Sequence, residues 1–328
     1  MALSEVEDLH VGFLADGRLV PAVRGVSFQI EPGKVLGLVG ESGCGKSVTS
    51  LAIMRLLPKP HGQISDGQIM FDGTDILSLS EDNMRNIRGN AISMIFQEPM
   101  TALNPVLTIG EQIGEVLEVH KSMPLKSEAN RKRCVELLAM VGIPRPEAIA
   151  QEYPHQLSGG MRQRVMIAMA LACDPRLIIA DEPTTALDVT IQAQVLDLMR
   201  QLKEELRTAV LFITHDLGVI AEMADEVAVM YAGKIVEQAP VRTLFQDPQH
   251  PYTIGLMRSR PAQMKKGETL YCIPGMVPSG EDMPPGCAFA PRCEHVCPEC
   301  SQARQIPIVT VGPQHQVRCV LAKGGDRA

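Results

Sequence analysis

Eight consecutive residues, Gly40-Glu41-Ser42-Gly43-Cys44-Gly45-Lys46-Ser47, fit the pattern G-x-x-x-x-G-K-[ST] completely and follow a short apolar run at Val35–Val39. A phosphate chain needs this arrangement. Small residues let successive backbone N–H groups converge on it, and the next helix begins there with its positive dipole end. Lys46 then suits the β and γ phosphates, and the Ser47 hydroxyl suits Mg2+. A plain glycine-rich turn between strand and helix is the other reading, and the preceding strand tells against it.

A second candidate element closes the apolar run 177–180, where Asp181 and Glu182 emerge side by side. Neighbouring side chains on a strand point to opposite sides, so the two carboxylates can take different tasks. Asp181 suits Mg2+, and Glu182 suits the orientation and deprotonation of an attacking water. On its own such a pair is a solvated strand end; beside a phosphate loop it is informative. A third element, Leu157-Ser158-Gly159-Gly160-Met161-Arg162-Gln163, reads as a helix start capped by Ser158, with glycines that permit close approach. Such a start is a second anion site.

Cysteine supplies the remaining chemistry. Nine cysteines occur, six of them beyond Asp247, and Cys287, Cys293, Cys297, Cys300 and Cys319 crowd a proline-rich stretch. Thiolates at such spacing can enclose an iron–sulfur cluster or Zn2+, while buried free thiols are the bland alternative.

The elements that must position these groups are short apolar runs at 35–39, 91–95, 177–180 and 210–214, with helical segments between them. Runs apolar on both faces predict a parallel sheet covered by helices, hence an α/β fold. Residues 101–150 read as helical, including 109–120 and 128–141, and look like an insert between strands. Beyond about residue 247 prolines and glycines increase and periodicity weakens, which predicts a second, small domain joined through 260–280.

Composition narrows the function. With 45% hydrophobic and 21% charged residues the chain is globular, and its net charge of −7 without a basic block argues against nucleic acid as a partner. The longest apolar stretches, 165–173 and 209–213, fall short of the roughly 20 residues that span a bilayer. The acidic start with Glu5, Glu7 and Asp8 does not read as a secretory signal, so a cytoplasmic protein with reduced thiols is expected.

The Leu-Ser-Gly-Gly-x-x-Gln segment, the phosphate loop and Asp181-Glu182 together resemble the ATP-binding cassette (ABC) ATPases, a branch of the P-loop NTPases. Gln97 after 91–95, Ala186-Leu187-Asp188 after Glu182 and His215 after 210–214 have counterparts in that family. The resemblance implies Glu182, His215 and Gln97 as catalytic residues, and Mg2+ held through Ser47, Gln97 and Asp181. It implies Gly40, Glu41, Ser42, Gly43, Cys44, Gly45, Lys46, Ser47 and Val48 around ATP. Phe13 would stack on adenine, although a core phenylalanine is an equal reading. Ser158, Gly159, Gly160 and Gln163 would serve the ATP of a partner subunit, with Asp188 in the adjoining D-loop. His215 would touch the γ phosphate; a lone histidine elsewhere is more often structural.

The segments 96–105, 153–157 and 180–194, with His250-Pro251-Tyr252-Thr253, Gly286-Cys287 and Arg292-Cys293, are similar to the dipeptide, oligopeptide and nickel importer ATPases. This resemblance implies an ATPase domain over 1–250, with a helical subdomain at about 98–168, and an importer-type C-terminal domain over 251–328. It implies ATP hydrolysis driving dipeptide or oligopeptide import from the cytoplasmic face of the inner membrane. Two transmembrane permease subunits, a second ABC ATPase as heterodimer partner and an extracytoplasmic peptide-binding protein would complete the assembly. A nickel or glutathione importer and a soluble ATP-dependent redox- or iron-sensing regulator are the alternatives. By the same resemblance Cys287, Cys293, Cys300 and Cys319 would hold a 4Fe-4S cluster, with Zn2+ as runner-up and Cys297 as competitor to Cys300. Cys44 stands where relatives carry serine; beside Lys46 at a helix start, its thiol is expected to have a lowered pKa and raised reactivity.

Overall fold

The structure is a computed structural model that describes residues 2–185, 188–259, 271–278, 280–302 and 305–322. Ala186 and Leu187 of the expected D-loop turn, 260–270 and 279 of the expected linker, and 323–328 lie outside them. The described chain divides into two compact units. One comprises Ile30–Lys34 and Ser78–Ile213 with the extreme N-terminus; the other comprises Ser4–Gln29, Val35–Leu77 and everything from Thr214 onward.

The second of these units begins with strands β1 (Ser4–Ala15) and β2 (Arg18–Ile30), β3 (Val35–Val39), helix α1 (Lys46–Ile53), and strands β4 (Gly62–Phe71) and β5 (Thr74–Asp75). Four of these strands form a sheet in the order β2-β1-β4-β5, and β1 runs antiparallel to β4 from Ser4 opposite Phe71 to Phe13 opposite Gly62. The turn Asp16-Gly17 has φ of 49° and 74°, and Asp72-Gly73 has 50° and 75°. Two residues with positive φ make the tight turn whose twist matches flanking antiparallel strands.

The other unit carries α2 (Glu81–Ile87), β6 (Ile92–Ile95), α3 (Pro99–Ala102), α4 (Ile109–Lys121), α5 (Glu128–Met140), α6 (Pro146–Ile149), α7 (Gly159–Leu171), β7 (Leu177–Asp181), α8 (Val189–Leu206) and β8 (Ala209–Thr214). Strands β6, β7 and β8 are parallel neighbours, and β7 and β8 are buried along their whole length. This is the continuous apolar pattern expected of strands covered on both faces. Helices α4, α5 and α7 pack on one another, and Ile113, Leu117, Leu137, Leu138 and Val165 on them are buried. Their starts are capped by Thr108, Ser127 and Ser158, each accepting a backbone N–H three residues on.

The chain from Thr214 adds α9 (Leu217–Met223), β9 (Glu226–Tyr231), β10 (Lys234–Pro240), α10 (Val241–Gln246), α11 (Pro251–Arg258), α12 (Pro298–Gln302), β11 (Val309–Gly312) and β12 (His315–Val317). Here β3 pairs in parallel with β9, whereas β9–β10, β10–β12 and β11–β12 are antiparallel. The α/β class therefore holds: the expected runs pair in parallel, β6 with β7, β7 with β8, and β3 with the added β9, but antiparallel strands from β10 onward make the pairing mixed. The reason is turn length: Ala232-Gly233, at φ of 44° and 80°, joins β9 to β10 in two residues, and so short a connection permits only antiparallel pairing. Among the described residues no helix is long and apolar enough to cross a membrane.

Asn130 joins two of the inserted helices. It is buried, and its Nδ2 donates to the carbonyls of Gly114 and Met123, both at 2.9 Å. Asn130→Ala should remove a buried donor from both oxygens and lower stability by about 1–3 kcal/mol. Faster amide exchange in α4 and α5 than in β7 would locate the loss, and unchanged exchange would contradict it.

Candidate functional site

The phosphate loop spans the gap between buried β3 and α1. At Gly40 an added Cβ would lie 2.2 Å from the Met230 carbonyl oxygen. At Gly45, with φ of +107°, it would lie 2.8 Å from that of Ala22. Backbone passes too near for any side chain, so both positions demand glycine. Lys46 is 4% exposed, and its Nζ donates to the carbonyls of Gly40 at 2.8 Å and Glu41 at 3.1 Å, inside its own loop. Ser42 and Gly43 are exposed, and an added Cβ at Gly43 would meet nothing within 4 Å, so the loop presents open backbone there. Ser47 and Val48 follow in the first turn of α1, half-buried.

Cys44 corrects an expectation. Its side chain is fully buried, and desolvation raises the thiol pKa despite the opposing pull of Lys46 and of backbone N–H groups. Proximity to a cation and a helix start does not activate a thiol that water cannot reach.

In the other unit, β7 delivers Asp181 and Glu182 in buried positions, with Glu182 at φ 47°. The Glu182 N–H donates to the Ile213 carbonyl at 2.9 Å, which ties the turn to β8. Its Oε2 accepts from Gln97 Nε2 at 3.2 Å and from Thr185 Oγ1 at 2.8 Å. Two expected site residues, Gln97 and Glu182, are thus brought together. Thr185 was missed by the sequence reading; a hydroxyl three residues past a strand-end carboxylate was its signal.

Ser158 caps α7 by accepting the Met161 N–H at 3.3 Å, and Ser158 and Gly159 are exposed, with open space where a Gly159 side chain would go. At Gly160 an added Cβ would lie 2.7 Å from Ile191 Cγ2, so glycine lets α7 approach α8. Asp188 caps α8 through the Ile191 N–H at 2.9 Å. Gln163 is buried, and its Nε2 has no hydrogen-bond partner among the described residues. His215 is exposed just beyond β8, in a turn shaped by Thr214 Oγ1, which accepts the Asp216 N–H at 3.0 Å. Phe13 is half-buried on β1, with its ring edge against the backbone of Gly62.

Cys287, Cys293, Cys300 and Cys319 line one cavity with His250 and Phe289, and Cys297 does not. The cavity encloses about 10 Å³, roughly the room of one water. Burial, reinforced by neighbouring thiols, pushes the pKa of Cys287, Cys293 and Cys319 up. Cys297 Sγ lies 3.4 Å from Cys300 Sγ; hydrogen bonds with Glu299 and then Cys300 raise its thiol to about 11. His250 is fully buried, which lowers its pKa to about 3. Its Nδ1 accepts the Tyr252 N–H at 3.0 Å, so the ring proton sits on Nε2, which has no partner among the described residues. Among the described residues no three His, Cys, Asp or Glu side chains converge as a metal site.

Residues 23–185 match the ABC transporter family, and residues 236–300 match the oligopeptide/dipeptide transporter C-terminal region. The oligopeptide transport ATP-binding protein AppD of Bacillus subtilis (strain 168) is 54% identical over 319 residues, which cover 97% of this chain and 96% of that protein. The dipeptide transport ATP-binding protein DppD of the same organism is 52% identical over 317 residues, 96% of this chain and 93% of its own. Among solved structures, the dimeric ATP-binding cassette MJ0796 in a post-hydrolysis state bound to ADP and Pi matches with a TM-score of 0.65. It is 29% identical and covers 73% of this chain and 99% of its own. A shared sequence of this extent, over both the phosphate-loop region and the C-terminal region, means that the chain belongs to the ABC transporter ATPases that carry an oligopeptide/dipeptide transporter C-terminal region.

Proposed function

We propose that the chain is the ATP-hydrolysing subunit that powers import of dipeptides or oligopeptides across the cytoplasmic membrane. The observation that carries the catalytic half is the Glu182 carboxylate held by Gln97 and Thr185 in a chain that also has a glycine-constrained phosphate loop. The peptide half rests on relatives named for oligopeptide and dipeptide transport, which favour neither nickel, glutathione nor a soluble regulator. In this reading the ATPase domain covers 1–250, with its helical subdomain at about 98–168, and the importer-type domain covers 251–328. The subunit works at the inner face of the membrane with two permease subunits, a second ATPase and an extracytoplasmic peptide-binding protein.

The exposed backbone at Gly43 fits a phosphate chain in kind, since nothing lies within 4 Å of where its side chain would be. Lys46 would exchange its loop carbonyls for phosphate oxygens, while Ser47, Asp181 and Gln97 would hold Mg2+, which would neutralise charge on the phosphates. Glu182 accepts a proton from the attacking water at its carboxylate, in an orientation fixed by the two donors on Oε2. His215 contacts the γ phosphate and Phe13 stacks on adenine. Ser158, Gly159, Gly160 and Gln163 present the start of α7 to the ATP of the partner ATPase; the exposed, unobstructed Ser158 and Gly159 support this role, as does the dimeric state of the solved cassette.

The four cysteines around the cavity are assigned to a structural 4Fe-4S cluster, with Zn2+ as the alternative metal. Support comes from the donor set itself and from the buried His250 Nε2–H, a donor suited to anionic sulfur. Cluster binding requires the thiols to deprotonate and converge, as metal sites coupled to folding do.

Glu182→Gln should bind ATP yet lower turnover of the assembled transporter about a hundredfold or more; a wild-type rate would remove Glu182 from its role. For Lys46→Ala, the loss of a charged donor should weaken ATP binding about tenfold to a hundredfold in calorimetry. Protein purified without oxygen should contain iron and acid-labile sulfide, and Cys300→Ser should lose them. Zinc without sulfide would replace the cluster by a zinc site, and retention in Cys300→Ser with loss in Cys297→Ser would change the ligand set.

A further inference from the structure

The only carboxylate on the phosphate loop, that of Glu41, is engaged by a residue 251 positions further along the chain. Arg292 donates from Nη1 to Glu41 Oε2 at 2.7 Å and from Nη2 to Oε1 at 3.1 Å, a two-pronged pair. The Arg292 side chain is 5% exposed and that of Glu41 is 28% exposed, so the pair is largely withdrawn from water. The rest of the guanidinium is spoken for as well. Nε donates to the Pro274 carbonyl at 2.7 Å, Nη2 to that of Ile273 at 3.3 Å, and Nη1 to the Tyr231 hydroxyl at 3.3 Å. Burial works against its charge, but Glu41 and Tyr231 more than compensate and hold its pKa above the ordinary arginine value.

The main chain of the same loop residue is held too. The Glu41 N–H donates to the Tyr252 hydroxyl at 2.8 Å, and the Glu41 carbonyl accepts from Lys46. Tyr252 is fully buried against Tyr231 and Phe289, with ring centroids 4.6 Å and 5.4 Å away. Phe289 in turn lines the cysteine cavity, and Arg292 directly precedes Cys293. Neither Arg292 nor Tyr252 belongs to the phosphate-binding motif.

We propose that Arg292 and Tyr252 of the C-terminal region are positioning residues for ATP binding: they clamp Glu41 by side chain and main chain and so hold the phosphate loop in its receptive shape. The clamp rests on the reading of this loop as the ATP site. A loop ordered before the ligand arrives spends less binding energy on its own ordering, so loss of Arg292, which lies outside the phosphate loop, weakens ATP binding.

Calorimetric titration of the full chain with MgATP tests this. Arg292→Ala should weaken binding about tenfold, the size of an ordinary coupling between sites. Glu41→Ala should do the same, and the double variant should be no weaker than the weaker single one, because both break one pair. Arg292→Lys, which keeps the charge but not the fork, should fall between Arg292→Ala and wild type. A folded Arg292→Ala protein with wild-type affinity overturns the clamp, and so do losses that add in the double variant. Should Arg292→Ala not fold, Glu41→Gln tests the pair from the loop side: it keeps the shape and loses the charge, and wild-type affinity there overturns the proposal equally. Lys46→Ala separates the two levels. If it binds MgATP as wild type does, the loop is not the ATP site and the underlying reading fails, whereas loss in Lys46→Ala with none in Arg292→Ala overturns the clamp alone.

Discussion

The ammonium of Lys46 is taken almost wholly out of water and held by two carbonyl oxygens of its own loop. Buried charge is expensive without partners, so the loop must curl to turn those oxygens inward and keep them there. Much of the surrounding unit follows from that need. Gly40 and Gly45 let the loop pass against the backbone of β9 and β2, and the Gly233 N–H donates to the Cys44 carbonyl at 2.9 Å. The parallel pairing of β3 with β9 sets the strand end from which the loop departs. The same curled backbone that shelters the lysine leaves Ser42 and Gly43 exposed.

The C-terminal region completes this arrangement. Tyr231, Tyr252 and Phe289 form an aromatic cluster, with Tyr231 and Phe289 edge to face at 5.2 Å, and the Arg292 guanidinium lies 5.8 Å from the Tyr231 ring centre. Aromatic faces, a hydroxyl and a carboxylate together stabilise a cation that burial alone would disfavour. One side of the cluster meets the phosphate loop and the other forms a wall of the cysteine cavity. The phosphate loop and the cysteine cavity are therefore both in contact with one aromatic cluster within a single unit.

Burial also decides which side chains are reactive. Cys44 has a neighbouring cation and a helix start, yet desolvation outweighs both and its pKa rises. Glu182 shows another use of enclosure: its buried side-chain oxygen is held by an amide and a hydroxyl, which gives the group a defined direction.

Local sequence determined the parts whose constraints are local. The glycines and lysine of the phosphate loop, the apolar runs of β3, β7 and β8, and the caps Ser158 and Asp188 answer to turn geometry, burial on two faces and helix-end hydrogen bonding, all legible within a few residues. The hairpins at Asp16-Gly17 and Asp72-Gly73 were equally legible, and attention to continuous apolar runs passed over them. Tertiary structure alone decided the rest. The pairing of Gln97 with Glu182 spans 85 positions, and that of Arg292 with Glu41 spans 251. Which four of five crowded cysteines face one cavity was likewise beyond spacing, since Cys297 and Cys300 differ only by the turn of a short helix. Pattern in a chain records what each segment needs from its neighbours in sequence; which distant side chains share a dry site depends on how the sheets and helices are packed, and burial there sets the charge and reactivity of each group.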